Sequence, residues 1–219
     1  MKHRTFHLLL AIFLFCAYCN AQELGKHDFI KHGLFYIDIK NPGYDSTAIR
    51  LPGKTYAVII NGSKDLKSNR ESYWNDCSFL YTTLRNYYKI PRTNISVIMS
   101  DGKNPGADIT MEDNSVVSSL LDLDGDGTDD IDYAATKENI KAVFSRLSNR
   151  IYSRDHLLVF IVGHGYKDKA SYISLWGNED NLYPQELSDY VKDIKAGYIT
   201  FVLGQCFSGG FIRCPKGRQ

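Results

Sequence analysis

Cysteine is scarce in this sequence. Five occur in 219 residues, and three of them, Cys77, Cys206 and Cys214, follow the first twenty-two positions. So few thiols exclude a dense disulfide framework, and an odd number in an exported chain leaves at least one free. Long apolar runs are also missing. The apolar stretch at residues 8–15 is too short to cross a bilayer, and no later segment is long and apolar enough, so no transmembrane segment is expected. Neither sign of charge dominates: 26 basic residues face 25 acidic ones, for a formal net charge of +1. That balance gives no electrostatic case for nucleic acid or an anionic surface as partner. Internal repeats and low-complexity segments are absent as well.

What is there begins with a basic head, Lys2-His3-Arg4, then the apolar stretch, then the small residues of Cys19-Asn20-Ala21. This is the pattern of a secretory signal peptide over residues 1–21, and it places the protein outside the cytoplasm, secreted or periplasmic. The rival reading is a lipid anchor on Cys16 or Cys19, against which stand the bulky Phe15 and Tyr18 immediately before them. Removal of the peptide leaves 219 − 21 = 198 residues, enough for one domain with a full core. Residues 22–53 read as an N-terminal cover or pro-segment, with a possible strand at 35–39 and a turn at Asn41-Pro42-Gly43.

From Lys54 onward strands and helices alternate. Apolar, β-branched runs predict strands over 56–60, 95–100, 157–162 and 198–203, and a hairpin strand over 171–175. Helices are predicted over 73–88, from Thr136, where Ile140, Val143, Phe144, Leu147 and Ile151 recur at helical spacing, and over 184–195, with Pro184 at the start. This order indicates an α/β fold, a three-layer sandwich around a mainly parallel sheet covered on both faces.

Two strand ends concentrate the candidate chemistry. The run at 198–203 stops at Gly204, and Cys206 follows, then Ser208-Gly209-Gly210; the run at 157–162 ends in Gly163-His164-Gly165. In open parallel sheets the reactive crevice lies beyond the carboxyl ends of the strands. Neighbouring strands ending this way bring an imidazole and a thiol to one rim. A histidine beside a cysteine takes its proton or lowers its pKa, giving the thiolate that attacks a carbonyl. The plainer readings are a buried small hydrophobe for the thiol and a satisfied structural residue for the imidazole.

These residues resemble the legumain-type cysteine peptidases of the caspase-haemoglobinase group. The likeness rests on His164-Gly165 with Gln205-Cys206-Phe207-Ser208-Gly209 downstream, at a separation of 206 − 164 = 42, against about fifty in caspases. It extends to Lys54-Thr-Tyr-Ala-Val-Ile-Ile-Asn-Gly-Ser63, to Asn75-Asp76-Cys77, to Ile90-Pro91 with residues 95–100, and to Asp132-Tyr133 with residues 136–144. The resemblance implies a caspase-like sandwich at 54–219, with Cys206 as nucleophile and His164 as general acid/base. It implies an oxyanion hole from the N–H groups of Gly165 and Cys206, a peptide or protein substrate, and no cofactor for catalysis. Arg70 matches the arginine with which the family holds its substrate. The family's orienting asparagine falls near Asn69, although Ser68 aligns equally well, and the resemblance implies that Arg70 and Asn69 bind substrate. The acid that accompanies the arginine is replaced by Gly204, so the family's specificity does not carry over. The strands that follow the cysteine in the family have no counterpart in the polar tail at 213–219, and the sheet is expected to be incomplete at that edge.

The acidic loop Asp122-Leu-Asp-Gly-Asp-Gly-Thr-Asp-Asp-Ile-Asp-Tyr133 resembles the calcium loop of an EF-hand. Asp122, Asp124 and Asp126 fall at positions one, three and five, Thr128 at the carbonyl position and Asp130 at nine. Tyr133 stands where the bidentate acid belongs, with Asp132 as its nearest substitute. The expectation is a structural Ca2+ site that pins a long loop; the alternative is a solvated acidic turn. Three functions follow: a secreted cysteine endopeptidase, a non-catalytic module that keeps the fold, and a calcium-dependent binding protein. The Cys206–His164 pair favours the first.

Overall fold

The structure, a computed structural model, describes residues 53–177 and 180–212. The signal peptide expected at 1–21, the strand expected at 35–39 and the tail at 213–219 lie outside the described residues. In chain order the elements are β1 (Thr55–Asn61), α1 (Glu71–Thr82), β2 (Ile95–Met99), β3 (Ile109–Thr110), β4 (Val116–Val117), α2 (Lys137–Ser148), β5 (His156–Val162), β6 (Gly165–Lys167), β7 (Ser171–Ser174), β8 (Asn181–Leu182), α3 (Pro184–Val191) and β9 (Tyr198–Leu203).

β2, β1, β5 and β9 form, in that order, one parallel sheet. The register decides where each side chain goes, because strand side chains alternate between faces. Tyr56, Val58 and Ile60 of β1 join Leu157, Val159 and Ile161 of β5 and Ile199 of β9 on one face, under Ile140, Val143, Phe144 and Leu147 of α2 and Leu187 and Val191 of α3. Ala57 and Ile59 join Val97 and Met99 on the other face, under Cys77 and Tyr81 of α1. The expected α/β class with a parallel central sheet is therefore the observed one.

Local signals account for the helix ends. The Thr136 side chain accepts from the Asn139 N–H at 3.3 Å, a cap for α2. Pro184 opens α3, and Glu186 Oε2 accepts from the Tyr183 N–H at 2.9 Å. Two helices depart from the expected spans. The helix predicted over 73–88 starts at Glu71 and, after Thr82, continues as a π-helical turn, Thr83–Tyr87, which Lys89 ends at φ 56°. The helix predicted to reach Lys195 stops at Val191, and the turn beyond it still buries Ile194 and Ala196.

The two sheet edges differ. Outside β2, residues 130–133 act as a cover: Asp132 N–H donates to Val97 O at 2.9 Å, Met99 N–H donates to Tyr133 O at 2.9 Å, and Asp132 Oδ2 accepts from Val97 N–H at 2.9 Å. Beside β9 the described residues supply no further strand, and Phe201, Val202 and Leu203 are half-buried. Among the described residues the sheet is thus open at its β9 edge. No described helix is long and apolar enough to cross a membrane.

Candidate active site

β5 and β9 pair in parallel up to Ile161 and Leu203, and Gly204 N–H donates to Ile161 O at 2.8 Å. Three residues past each partner of that last pair stand His164 and Cys206. Gly163 takes φ +131°, a conformation that strains any side-chain-bearing residue, and so turns the chain out of β5. Gly165 is required for a different reason. A Cβ built there would lie 2.0 Å from the Cys206 carbonyl oxygen and 2.7 Å from Gln205 Cγ. The backbones that carry the imidazole and the thiol are in direct contact.

Beyond Cys206 the chain reverses through Phe207, whose φ of 57° is left-handed and uncommon for such a residue. The turn leaves Cys206 exposed, with a free thiol. Cys77 is also free but fully buried in α1, and burial pushes its thiol well up, away from thiolate chemistry. Cys214 lies outside the described residues.

His164 is half-buried, and its Nε2 sits 3.0 Å from Ser68 O and 3.4 Å from the Tyr73 hydroxyl. A carbonyl oxygen can only accept, so this geometry puts a proton on Nε2 and leaves Nδ1 as the basic nitrogen. Ser174 N–H donates to His164 O at 3.0 Å, which makes Gly165 and Ile173 a non-hydrogen-bonded pair in the β6–β7 ladder. The Gly165 N–H is left out of that ladder.

Of Ser68 and Asn69, the two residues expected near an orienting position, Ser68 touches the ring, through its main-chain carbonyl. Asn69 does not, and its expected contact with substrate is corrected by the structure. It is wholly buried, its Oδ1 accepts from Asn61 Nδ2 at 3.0 Å, and its Nδ2 donates to Ser100 Oγ at 2.7 Å and Asp108 O at 2.8 Å. Asn69 thus braces the loop that presents Ser68. Arg70 is exposed at the N-terminus of α1 and bridges backbone to backbone with Thr110, on the same loop as Ser68. Under this loop, burial and then the charge of Asp108 push the Asp101 carboxyl up to about 6.

The sequence reading missed Tyr73. Nothing marks a tyrosine on a helix as a neighbour of a histidine 91 positions away; only the packing of α1 against β5 does so. Its ring meets His164 edge-on, with centroids 5.5 Å apart at 87°, and Tyr166 flanks the imidazole at 6.1 Å. Burial first, then the nearby thiol and Tyr166, raise the Tyr73 phenol and keep it protonated.

Only part of the acidic loop converges. Asp122, Asp124 and Asp130 each bring a carboxylate oxygen within 4.8 Å of the others. Asp126 and Thr128, expected as ligands with them, are exposed, and Asp126 Oδ1 accepts from the Thr128 N–H at 2.8 Å. The Asp126 carboxylate lies outside the cluster. Asp132 faces away, toward Arg92 at 2.8 Å and the Val97 N–H. One oxygen of Asp124 is buried without a partner among the described residues, and burial, then Asp130, raises its carboxyl.

Two cavities, of about 320 and 390 Å³, lie against Phe79, Thr82 and Tyr87 and against Lys54, Tyr88 and Asn94, so neither is lined by His164 or Cys206. No family model matches this chain, and a search of curated proteins finds no match either.

Proposed function

We propose that this chain is an exported cysteine endopeptidase of the caspase-haemoglobinase type, with Cys206 as nucleophile and His164 as base. The observation that carries the proposal is the backbone contact between Gly165 and Cys206. It joins two strand ends of one parallel sheet, where such folds collect their chemistry. His164 Nδ1 takes the thiol proton, and the thiolate attacks a substrate carbonyl. The N–H groups of Gly165 and Cys206 hold the resulting oxyanion. The imidazolium then protonates the leaving amine, and water hydrolyses the thioester with His164 again as base. Arg70, exposed on the same rim, is available to a substrate carboxylate or amide.

Alkylation tests the dyad directly. Near neutral pH, iodoacetamide should label Cys206 at least tenfold faster than buried Cys77, and His164→Ala should slow Cys206 labelling about tenfold. Equal labelling of Cys206 in wild type and variant removes the dyad. A second reading, a non-catalytic binding module, draws on the edge at β9, where the described residues supply no further strand and Phe201, Val202 and Leu203 are half-buried. It expects the same fast labelling with no turnover of a mixed-sequence peptide library.

We also read the acidic loop as a structural calcium site on Asp122, Asp124 and Asp130. A ligand that binds only the folded chain adds about 1.4 kcal/mol at ten times its Kd, about 3 °C in Tm for a domain of this size. Asp122→Ala with Asp124→Ala should abolish that rise, and Asp126→Ala should leave most of it. A Tm indifferent to millimolar calcium identifies a solvated turn instead.

A further inference from the structure

We propose that Tyr73 is a positioning residue for His164, an inference that rests on the dyad reading above. Its hydroxyl is the second oxygen facing Nε2, at 3.4 Å, beside the Ser68 carbonyl at 3.0 Å. The carbonyl claims the Nε2 proton, so the phenol oxygen faces an N–H and shares it as an acceptor. Both oxygens hold the tautomer whose Nδ1 is basic, and both bond more strongly once the ring is an imidazolium, because a charged donor makes the stronger hydrogen bond. The phenol thereby favours the thiolate–imidazolium pair over the neutral one.

Two further observations fit this role. The ring packs edge-on against the imidazole, so the ring fixes the plane and the hydroxyl fixes the proton. The helix that presents it is itself tied down. On α1, Trp74 Nε1 donates to Leu120 O at 3.0 Å and Ser78 Oγ to Leu123 O at 2.6 Å. The titratable and charged groups around the pair are Arg70 and Asp76 from the α1 side, Tyr166 from β6, and Cys206 beyond β9. Among the described residues none of these is placed at Nε2 by a hydrogen bond; Tyr73 and the Ser68 carbonyl are.

The experiment is the pH profile of Cys206 alkylation in the full chain. Tyr73→Phe keeps the ring and removes only the hydroxyl. Its labelling at neutral pH should fall about three- to tenfold, the range that one net hydrogen bond supplies, with the profile displaced to higher pH. In the His164→Ala background the same substitution should have no effect, because Tyr73 acts through the imidazole. A Tyr73→Phe profile that overlays wild type, while His164→Ala still slows labelling, overturns the proposal and spares the dyad. An equal loss in both backgrounds overturns it too, by showing a purely structural effect. If His164→Ala changes nothing, the dyad itself fails. Should Tyr73→Phe not fold, 3-fluorotyrosine at position 73 decides: its weaker acceptor oxygen should slow labelling and displace the profile to higher pH, and a profile that overlays wild type overturns the proposal.

Discussion

Gly165→Ala should lower stability by about 2–3 kcal/mol, the scale of overpacking in a filled site, and slow Cys206 alkylation by up to about tenfold, the loss expected when the imidazole no longer supports the thiolate. The new methyl would sit 2.0 Å from the Cys206 carbonyl oxygen and 3.0 Å from its carbonyl carbon. Those are main-chain atoms, so no rotamer change relieves the clash. Either the β6 strand or the Cys206 turn must move away, and both carry one half of the dyad. Gly204→Ala is the matched control. A methyl there meets Ile161 O at 3.5 Å and Val162 Cγ2 at 3.6 Å, ordinary contacts, and should cost well under 1 kcal/mol. Urea melts and alkylation rates of the two variants, measured side by side, check the argument. If Gly165→Ala behaves like Gly204→Ala, the strand ends are not held as close as described.

The same contact shows what the sequence made legible. β1, β5 and β9 are apolar β-branched runs whose ends are marked by glycine, and α2 repeats its apolar residues at helical spacing behind a threonine cap. Those are local signals, written within a dozen residues, and they sufficed to bring His164 and Cys206 to one rim. The supports of His164 are not local. Ser68 O and the Tyr73 hydroxyl reach it from 96 and 91 positions away, and one of them is a main-chain atom that any residue at 68 could supply. The resemblance sets Asn69 beside substrate, and a likeness of motifs carries no information about burial. In the structure the neighbouring Asn61, Ser100 and Asp108 consume its amide. The β3–β4 ladder escaped notice because two-residue strands have no period to detect. In the acidic loop the spacing template ranked Asp126 equal to Asp124, whereas the turn directs the Asp126 carboxylate to its own Thr128 N–H.

Asp130 is where the acidic loop, α1 and β2 are fastened together, and Asp130→Ala should cost about 3–5 kcal/mol, the loss seen when one partner of a buried charged network is removed. The carboxylate is 1% exposed. One oxygen accepts from the hydroxyl of Tyr81, itself buried on α1, and lies 3.4 Å from Arg92 Nε. The other accepts from the Leu123 N–H at 2.9 Å. Alanine leaves a buried phenol and a buried N–H without acceptors, and each such orphan costs about 1–3 kcal/mol. Arg92 loses less, since Asp132 at 2.8 Å still pairs with it. Burial and Asp130 together push the Tyr81 phenol up, so it remains a donor across the working pH range and cannot compensate by ionising. Tyr81→Phe removes one donor and no charge, and should cost about 1 kcal/mol. The double variant should fall short of the sum of the two, because both act on one bond. All of these contacts are protein–protein, so the loss should appear in a chelator and widen with calcium if Asp130 is also a ligand. A loss of less than 1 kcal/mol in chelator, with a large loss only in calcium, would show that the cation rather than Tyr81 and Leu123 holds the loop against the helix.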